Sequence, residues 1–350
     1  MAAQELIQVR TDERFDTAVV AAYLSDRLDT DHGELTVQQF AGGHANLTYL
    51  LRYSDGTEYV LRRPPLGPVA PGSHDMGREH GVLKGLWRAF PQAPRSYLLC
   101  EDLTIIGSPF FVMERKNGVV VRREVPDVFG GGQDTTANRK LSEVVIDTLV
   151  DFHSVAPAEA GLADLGHPEG FLERQVEGWA QRWHGSKEHD WAVAGELITW
   201  LQTELPASPP PALVHNDWRL DNMAVSPTDP GVCVAVYDWD MCTQGDPLAD
   251  LGTLLSVWYD EDEAPSALNP MPTSTPGFMN RREAVERYAR RSRINPDTVD
   301  YYIVFGSFKM AVIVQQIYIR YVRGQTQDDR FAVMGDAARQ LMELALARRT

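Results

Sequence analysis

Leu213-Val-His-Asn-Asp-Trp-Arg-Leu-Asp-Asn222, followed by Val234-Ala-Val-Tyr-Asp-Trp-Asp240, is the stretch whose reading decides the fold of this chain. Each half opens as a β-prone run and delivers carboxylates where the strand pattern stops. Between them, Met223 to Val225 and Val232 to Val236 read as two strands joined by Ser226-Pro-Thr-Asp-Pro-Gly231, a turn of residues that preset or free the backbone. A hairpin there sets the two loops side by side, so that Asp217, Asn222 and Asp238 share one space. Asn222 and Asp238 offer hard oxygen donors suited to a divalent cation, which leaves Asp217 to accept a proton. The competing reading makes Asp217 a turn cap, but it leaves the placing of Asn222 and Asp238 unaccounted for.

Upstream of this stretch, Phe15 to Leu28 carries apolar residues at helical intervals and predicts a leading helix on the outside of the first domain. Leu35 to Phe40, Leu47 to Tyr53 and Glu58 to Arg62 follow as a three-stranded meander, with Gly42 and Gly43 in its first turn. Glycines without a Cβ let backbone N–H groups approach phosphates, although many hairpins carry two glycines for no such reason. The proline-rich run from 64 to 72 must be a loop. An amphipathic helix over Met76 to Phe90 comes next, with Glu79 in its first turns, then strands near Ser96 to Cys100 and Pro109 to Glu114. Three strands, a helix and two strands is the order of a kinase small lobe. In such a lobe a cation on the third strand holds the donor phosphates and a helix carboxylate holds the cation. Arg62, with Arg63 beside it, and Glu79 occupy those places, and their alternative is an ordinary surface ion pair.

Beyond Lys116 the pattern turns helical. Gly130 to Gly132 reads as a loop, and Leu141 to His153 as a helix whose terminal His153 is a hydrogen-bonded structural residue rather than a base. Further helices are expected over Phe171 to Trp183, Trp191 to Leu205, Asp250 to Trp258, Tyr301 to Arg323 and Phe331 to Arg348. Asp246 and Asp250 open the third of these, where a carboxylate meets unpaired N–H groups. Arg219 either steadies its loop or meets an anionic substrate.

Composition narrows the function class. The net charge of −16 argues against a nucleic-acid partner and against adsorption to an anionic membrane. Cys100, Cys233 and Cys242 lack zinc or redox spacing, which suits a reducing, cytoplasmic compartment. The N-terminus does not read as a secretory signal, and no uninterrupted apolar run reaches the roughly 18 residues of a membrane span. Oligomeric state is not legible.

Several motifs together carry a resemblance over essentially the whole chain. Gly42-Gly-His-Ala-Asn-Leu-Thr-Tyr-Leu50, Val60-Leu-Arg-Arg-Pro-Pro65, Asp238-Trp-Asp240, Gly245-Asp-Pro-Leu-Ala-Asp-Leu-Gly252 and Gln315 to Gly324 resemble the phosphotransferase enzyme family of aminoglycoside phosphotransferases and choline kinases. Within it they are most similar to the kinase-like domain of acyl-CoA dehydrogenase family members 10 and 11. The resemblance implies an α+β, two-lobed protein kinase-like fold, with a small β-rich lobe over 1–115 that binds nucleotide and a larger, mostly helical lobe over 116–350 for catalysis and substrate. It implies ATP and Mg²⁺, with Asp217 as catalytic base, Asn222 and Asp238 as metal ligands, and Gly42, Gly43, Arg62 and Glu79 around the phosphates. Met113, Glu114 and Arg115 would form the hinge that receives the adenine. Two positions depart from the pattern: Asn216 stands where Gly is usual, and Ala45 where a small polar residue is usual.

The acceptor is the least legible feature. The acidic run Asp260 to Glu263 could meet ammonium groups but reads better as a solvated loop. Lys309, Gln316, Tyr318, Arg320 and Arg323 could suit an anion. The expectation is therefore a small hydroxylated metabolite of hydroxyacyl type; the alternatives are an aminoglycoside phosphotransferase or a nucleotide-binding pseudokinase.

Overall fold

The computed structural model describes residues 6–28, 32–41, 46–67, 74–263, 271–325 and 329–349. The first lobe is an antiparallel sheet in the order β1-β2-β3-β4-β6-β5, formed by Leu6–Ile7 (β1), Leu35–Phe40 (β2), Leu47–Tyr53 (β3), Glu58–Arg63 (β4), Ser96–Cys100 (β5) and Phe110–Glu114 (β6). Two helices accompany it, Thr17–Leu28 (α1) and Met76–Leu86 (α2), with a single turn, Leu103–Ile106 (α3), between β5 and β6. Because strand side chains alternate, the sheet buries two different faces. Tyr49, Leu51, Leu61, Phe110 and Val112 pack with Val20 and Leu24 of α1. Val60, Phe111 and Met113 pack with Met76, Val82 and Leu83 of α2, and that cluster runs on without a break into the second lobe.

The second lobe holds β7 (Val119–Val120), α4 (Thr135–His153), α5 (Phe171–Ser186), α6 (Ala192–Thr203), β8 (Ala212–Val214), β9 (Met223–Ser226), β10 (Asp229–Val236), β11 (Thr243–Gly245), α7 (Pro247–Ser256), α8 (Arg281–Ser292), α9 (Val299–Val322) and α10 (Met334–Ala347). The β9–β10 turn is tighter than the sequence suggested. Ser226 pairs directly with Asp229, and irregular register before Cys233 and Ala235 absorbs the extra residues. Pro230 cannot donate to the ladder, so a bulge is the economical solution. α7 starts at Pro247, three residues before the expected Asp250, because Asp246 caps it by accepting from the Leu248 N–H (2.9 Å).

Sequence reading missed α8. It buries only Ala284 and Tyr288, and its Asn280/Glu283 capping box is the local signal that could have found it. Charged pairs dock it on α4: Arg287 on Asp147 (2.7 Å) and Arg291 on Asp151 (2.9 Å). α9 is long and apolar enough by length and composition to cross a bilayer, yet 72% of its most apolar stretch is buried inside the protein, as in a core helix. α9 crosses α7 at two glycines. A Cβ on Gly306 would sit 2.8 Å from the Gly252 carbonyl, so only glycine allows this approach, which carries Lys309, one turn on, to the loop that follows β8.

Candidate active site

β8 ends at Val214 and the chain leaves it through His215 and Asn216, the latter at φ 68°, a left-handed conformation that Asn tolerates better than most residues. Both turning N–H groups are caught by one buried carboxylate: Asp250 accepts from His215 N (2.6 Å) and from Asn216 N (2.6 Å). Asp250 is therefore structural, but it holds the loop rather than its own helix end. Beneath it His153 contacts Asp250 (3.3 Å) and Tyr288 Oη (2.8 Å), the hydrogen-bonded setting expected of His153. The Asp217 N–H donates to His215 Nδ1 (3.3 Å), which requires His215 to carry its proton on Nε2, where it donates to the Tyr237 carbonyl (2.9 Å).

Each loop Asp is followed by a buried tryptophan, a signal sequence reading did not use. The Trp218 indole donates to the Val145 carbonyl (3.2 Å) and stacks on Phe152, and Trp239 packs edge-on against the same Phe152 at 5.0 Å. Driving the tryptophans into the core leaves Asp217 and Asp238 on the opposite side of the chain. The hairpin then joins the loops: the Tyr237 N–H donates to the Asn222 carbonyl (2.8 Å), and Met223 lies opposite Val236. Asn222 turns its amide nitrogen to the Asp217 carboxylate (2.9 Å) and carbonyl (3.0 Å), which leaves its side-chain oxygen facing elsewhere. Asn216 adds a link to the second loop through the Met241 carbonyl (2.9 Å).

Arg62 is the hub between lobes. Its guanidinium pairs with Glu79 (3.0 Å) and with Asp238. Asn46, with its amide turned to satisfy both neighbours, accepts from Arg62 (2.8 Å) and donates to His74 Nδ1 (2.8 Å). Glu79 also accepts from the Trp239 N–H (3.4 Å), and Arg78 reaches the Cys242 carbonyl (3.1 Å), so consecutive residues of α2 grip the Asp238 loop. Three carboxylates surround one guanidinium. Burial, opposed by Arg62 and reinforced by Asp238 and Asp240, leaves the Glu79 carboxyl raised to about 7; Asp240 is raised by burial and by Asp238. Burial alone would lower Arg62, but Glu79, Asp238 and Asp240 hold it raised. Burial likewise raises Asp217, opposed by Arg219, His215 and Lys309.

Arg63 points to the other sheet face, donating to Tyr49 Oη (2.8 Å) and to the Glu13 carbonyl (2.6 Å). Arg62→Ala is expected to weaken ATP binding or turnover by at least about 10-fold, the scale of a lost charge-assisted contact. Arg63→Ala should instead lower the melting temperature and spare the Michaelis constant for ATP. Steady-state kinetics beside a thermal melt separates the two, and the reverse pattern would move the clamp to Arg63.

Other expected residues fall in different places. Gly42 and Gly43, with Ala45, lie outside the described residues. Met113 is buried opposite Val60, and the Glu114 N–H is spent on the Arg95 carbonyl (2.8 Å). The Arg115 guanidinium lies 4.9 Å from the Phe40 ring. Arg219 is bound in a two-pronged pair to Asp221 (2.8 Å each), which commits it to steadying the loop. Within the acidic run, Asp260 and Glu263 pair with Arg281, while Glu261 and Asp262 are exposed. The cationic set on α9 is split: Lys309 reaches the Asn216 carbonyl (2.6 Å), Arg323 reaches Gly185 (3.4 Å), Tyr318 packs near Gly335 and Arg320 is exposed.

Residues 36–272 match the family model described as the phosphotransferase enzyme family. The chain belongs to this family. The phosphotransferase is 32% identical to acyl-CoA dehydrogenase family member 11 of Gallus gallus, over 91% of this chain and 41% of that protein. It is 30% identical to family member 10 of Mus musculus, over 92% of this chain and 30% of that protein. It thus spans less than half the length of these relatives. Among solved structures, a Ralstonia eutropha protein provisionally assigned as an aminoglycoside phosphotransferase superposes with a TM-score of 0.78 at 27% identity, covering 96% of this phosphotransferase and 98% of that chain.

Proposed function

We propose that this phosphotransferase transfers the γ-phosphoryl group of ATP to the hydroxyl of a small metabolite of hydroxyacyl type, with residues 1–115 binding nucleotide and 116–350 carrying catalysis and acceptor binding. The observation that carries the reading is the convergence of Asp217, Asn222 and Asp238 on the two loops tied by the Tyr237–Asn222 hydrogen bond. Asp217 orients the acceptor hydroxyl and takes its proton; burial, which raises this carboxyl, brings it closer to the working range of a base. Arg62, held by Glu79 and Asn46, meets the donor phosphates, and the backbone following Glu114 receives the adenine.

The donor set fits Mg²⁺. Among the described residues no three His, Cys, Asp or Glu side chains form a closed metal cage, and Mg²⁺ does not require one, since it commonly takes one or two protein oxygens with phosphates and water. Asn222 Oδ1 and the Asp238 carboxylate would hold it, and the excess of carboxylates around Arg62 favours a further cation. When bound, Mg²⁺ supplies charge neutralisation at phosphate oxygens. The free thiols of Cys100, Cys233 and Cys242 suit a cytoplasmic setting.

A hydroxyacyl-type acceptor is supported by the similarity to family members 10 and 11 and by the pairing of Asp260 and Glu263 with Arg281, which leaves fewer carboxylates for a polyamine. With ATP consumption as the readout, hydroxyacyl thioesters are expected to stimulate turnover and kanamycin to act poorly. Efficient phosphorylation of kanamycin with no response to hydroxyacyl compounds would overturn the acceptor class.

A further inference from the structure

Lys309 stands in an unusual position for a lysine. It is 6% exposed, yet among the described residues its ammonium has one hydrogen-bond partner, the Asn216 carbonyl at 2.6 Å, and no carboxylate in ion-pair contact. An ammonium has three N–H donors, so two remain for another group. Burying an ammonium is costly unless it is paired. Burial lowers the Lys309 ammonium, with Asp217 and Asp250 opposing, as expected of a cation short of partners.

The Trp179 ring of α5 is 5.8 Å from Lys309 Nζ, and among the described residues its buried indole N–H has no hydrogen-bond partner. On the same ring lies the exposed Arg182 guanidinium, at 4.6 Å. Lys309 and Arg219 act on Asp217, and Arg182 acts on Lys309. Two donors such as Lys309 and Trp179 favour an acceptor that brings an electron-rich oxygen.

We propose that Lys309 and Trp179 form the acceptor-anchoring subsite, donating hydrogen bonds to a carbonyl or carboxylate oxygen of the alcohol whose hydroxyl faces Asp217. This rests on the phosphotransferase reading above and deepens it: Lys309 and Trp179 are the residues that set the preference for an oxo- or carboxy-substituted alcohol. The same ammonium fixes the Asn216 carbonyl, so acceptor binding and catalytic-loop position are joined in one residue.

The test compares two acceptors within each protein, which cancels any general loss of activity. One is the 3-hydroxybutyryl thioester of pantetheine; the other is its thioether counterpart, in which CH₂ replaces the carbonyl. Full-length wild type is expected to prefer the thioester in kcat/KM by at least about 10-fold, the scale of a hydrogen bond to a charged donor. Lys309→Met should bring the ratio close to one, Lys309→Arg should restore part of it, and Trp179→Phe, which keeps the ring and removes the N–H, should reduce it several-fold. A ratio unchanged in Lys309→Met and Trp179→Phe would overturn the proposal, because a merely structural role lowers both acceptors alike. So would Asp217-dependent ATP hydrolysis that neither compound stimulates, or a preference for choline over the thioester; both leave the phosphotransferase reading standing. Absence of any Asp217-dependent turnover would instead remove that reading, and this inference with it.

Discussion

Asp217→Asn is expected to lower Mg²⁺-dependent ATP turnover by about 10²- to 10⁴-fold, the range contributed by a positioned general base. The substitution keeps the size of the side chain, and the Asp217 N–H can still donate to His215 Nδ1. The loop itself is held by Asp250 and Lys309 through neighbouring backbone groups, so the fold should survive. Nucleotide affinity, followed by tryptophan fluorescence, should change little. Slow hydrolysis that persists unaltered in Asp217→Asn would remove Asp217 as the base. Tight nucleotide binding with no hydrolysis by the parent protein, under any acceptor, would favour the pseudokinase reading.

Asp238→Ala should have an effect of similar size by a different route. Removing a metal ligand forfeits several kcal/mol of charge stabilisation in the transition state, about 10³-fold in rate. Asp238 lies on a loop at φ 67°, is not part of the apolar core, and has Glu79 and Asp240 as like-charged neighbours. Its loss therefore should not unfold the protein, although Arg62 gives up one of its partners. A melting temperature close to that of the parent, together with loss of phosphoryl transfer and weaker Mg²⁺ dependence of nucleotide binding, is the expected pattern. Equal activity in variant and parent would sink the metal assignment.

The choice between Arg62 and Arg63 shows how far local pattern reaches. Adjacent strand residues face opposite sides, so sequence reading could say that only one of the two enters the cleft. Which one depends on what covers each face of β4. α2 covers the Val60 and Arg62 side, while α1 and Tyr49 cover the Leu61 and Arg63 side. A similar limit applies to α8. Its docking on α4 rests on Arg–Asp pairs instead of an apolar stripe, and the periodicity that reveals buried helices is weak there.

The sequence alone carried the strand meander, most of the helices and the two neighbouring loops that bear Asp217, Asn222 and Asp238, because each depends on short-range pattern: alternation, helical spacing, and carboxylates placed where strands stop. What holds those residues in position belongs to tertiary structure. Asp250, 34 residues after Asn216, secures the backbone of the catalytic loop; Lys309, 93 residues after Asn216, reaches the same loop over the Gly252–Gly306 crossing; and Arg62, 176 residues before Asp238, bridges the lobes. Contacts this distant along the chain leave no periodic trace, since they are set by which surfaces the helices and sheet bury against one another.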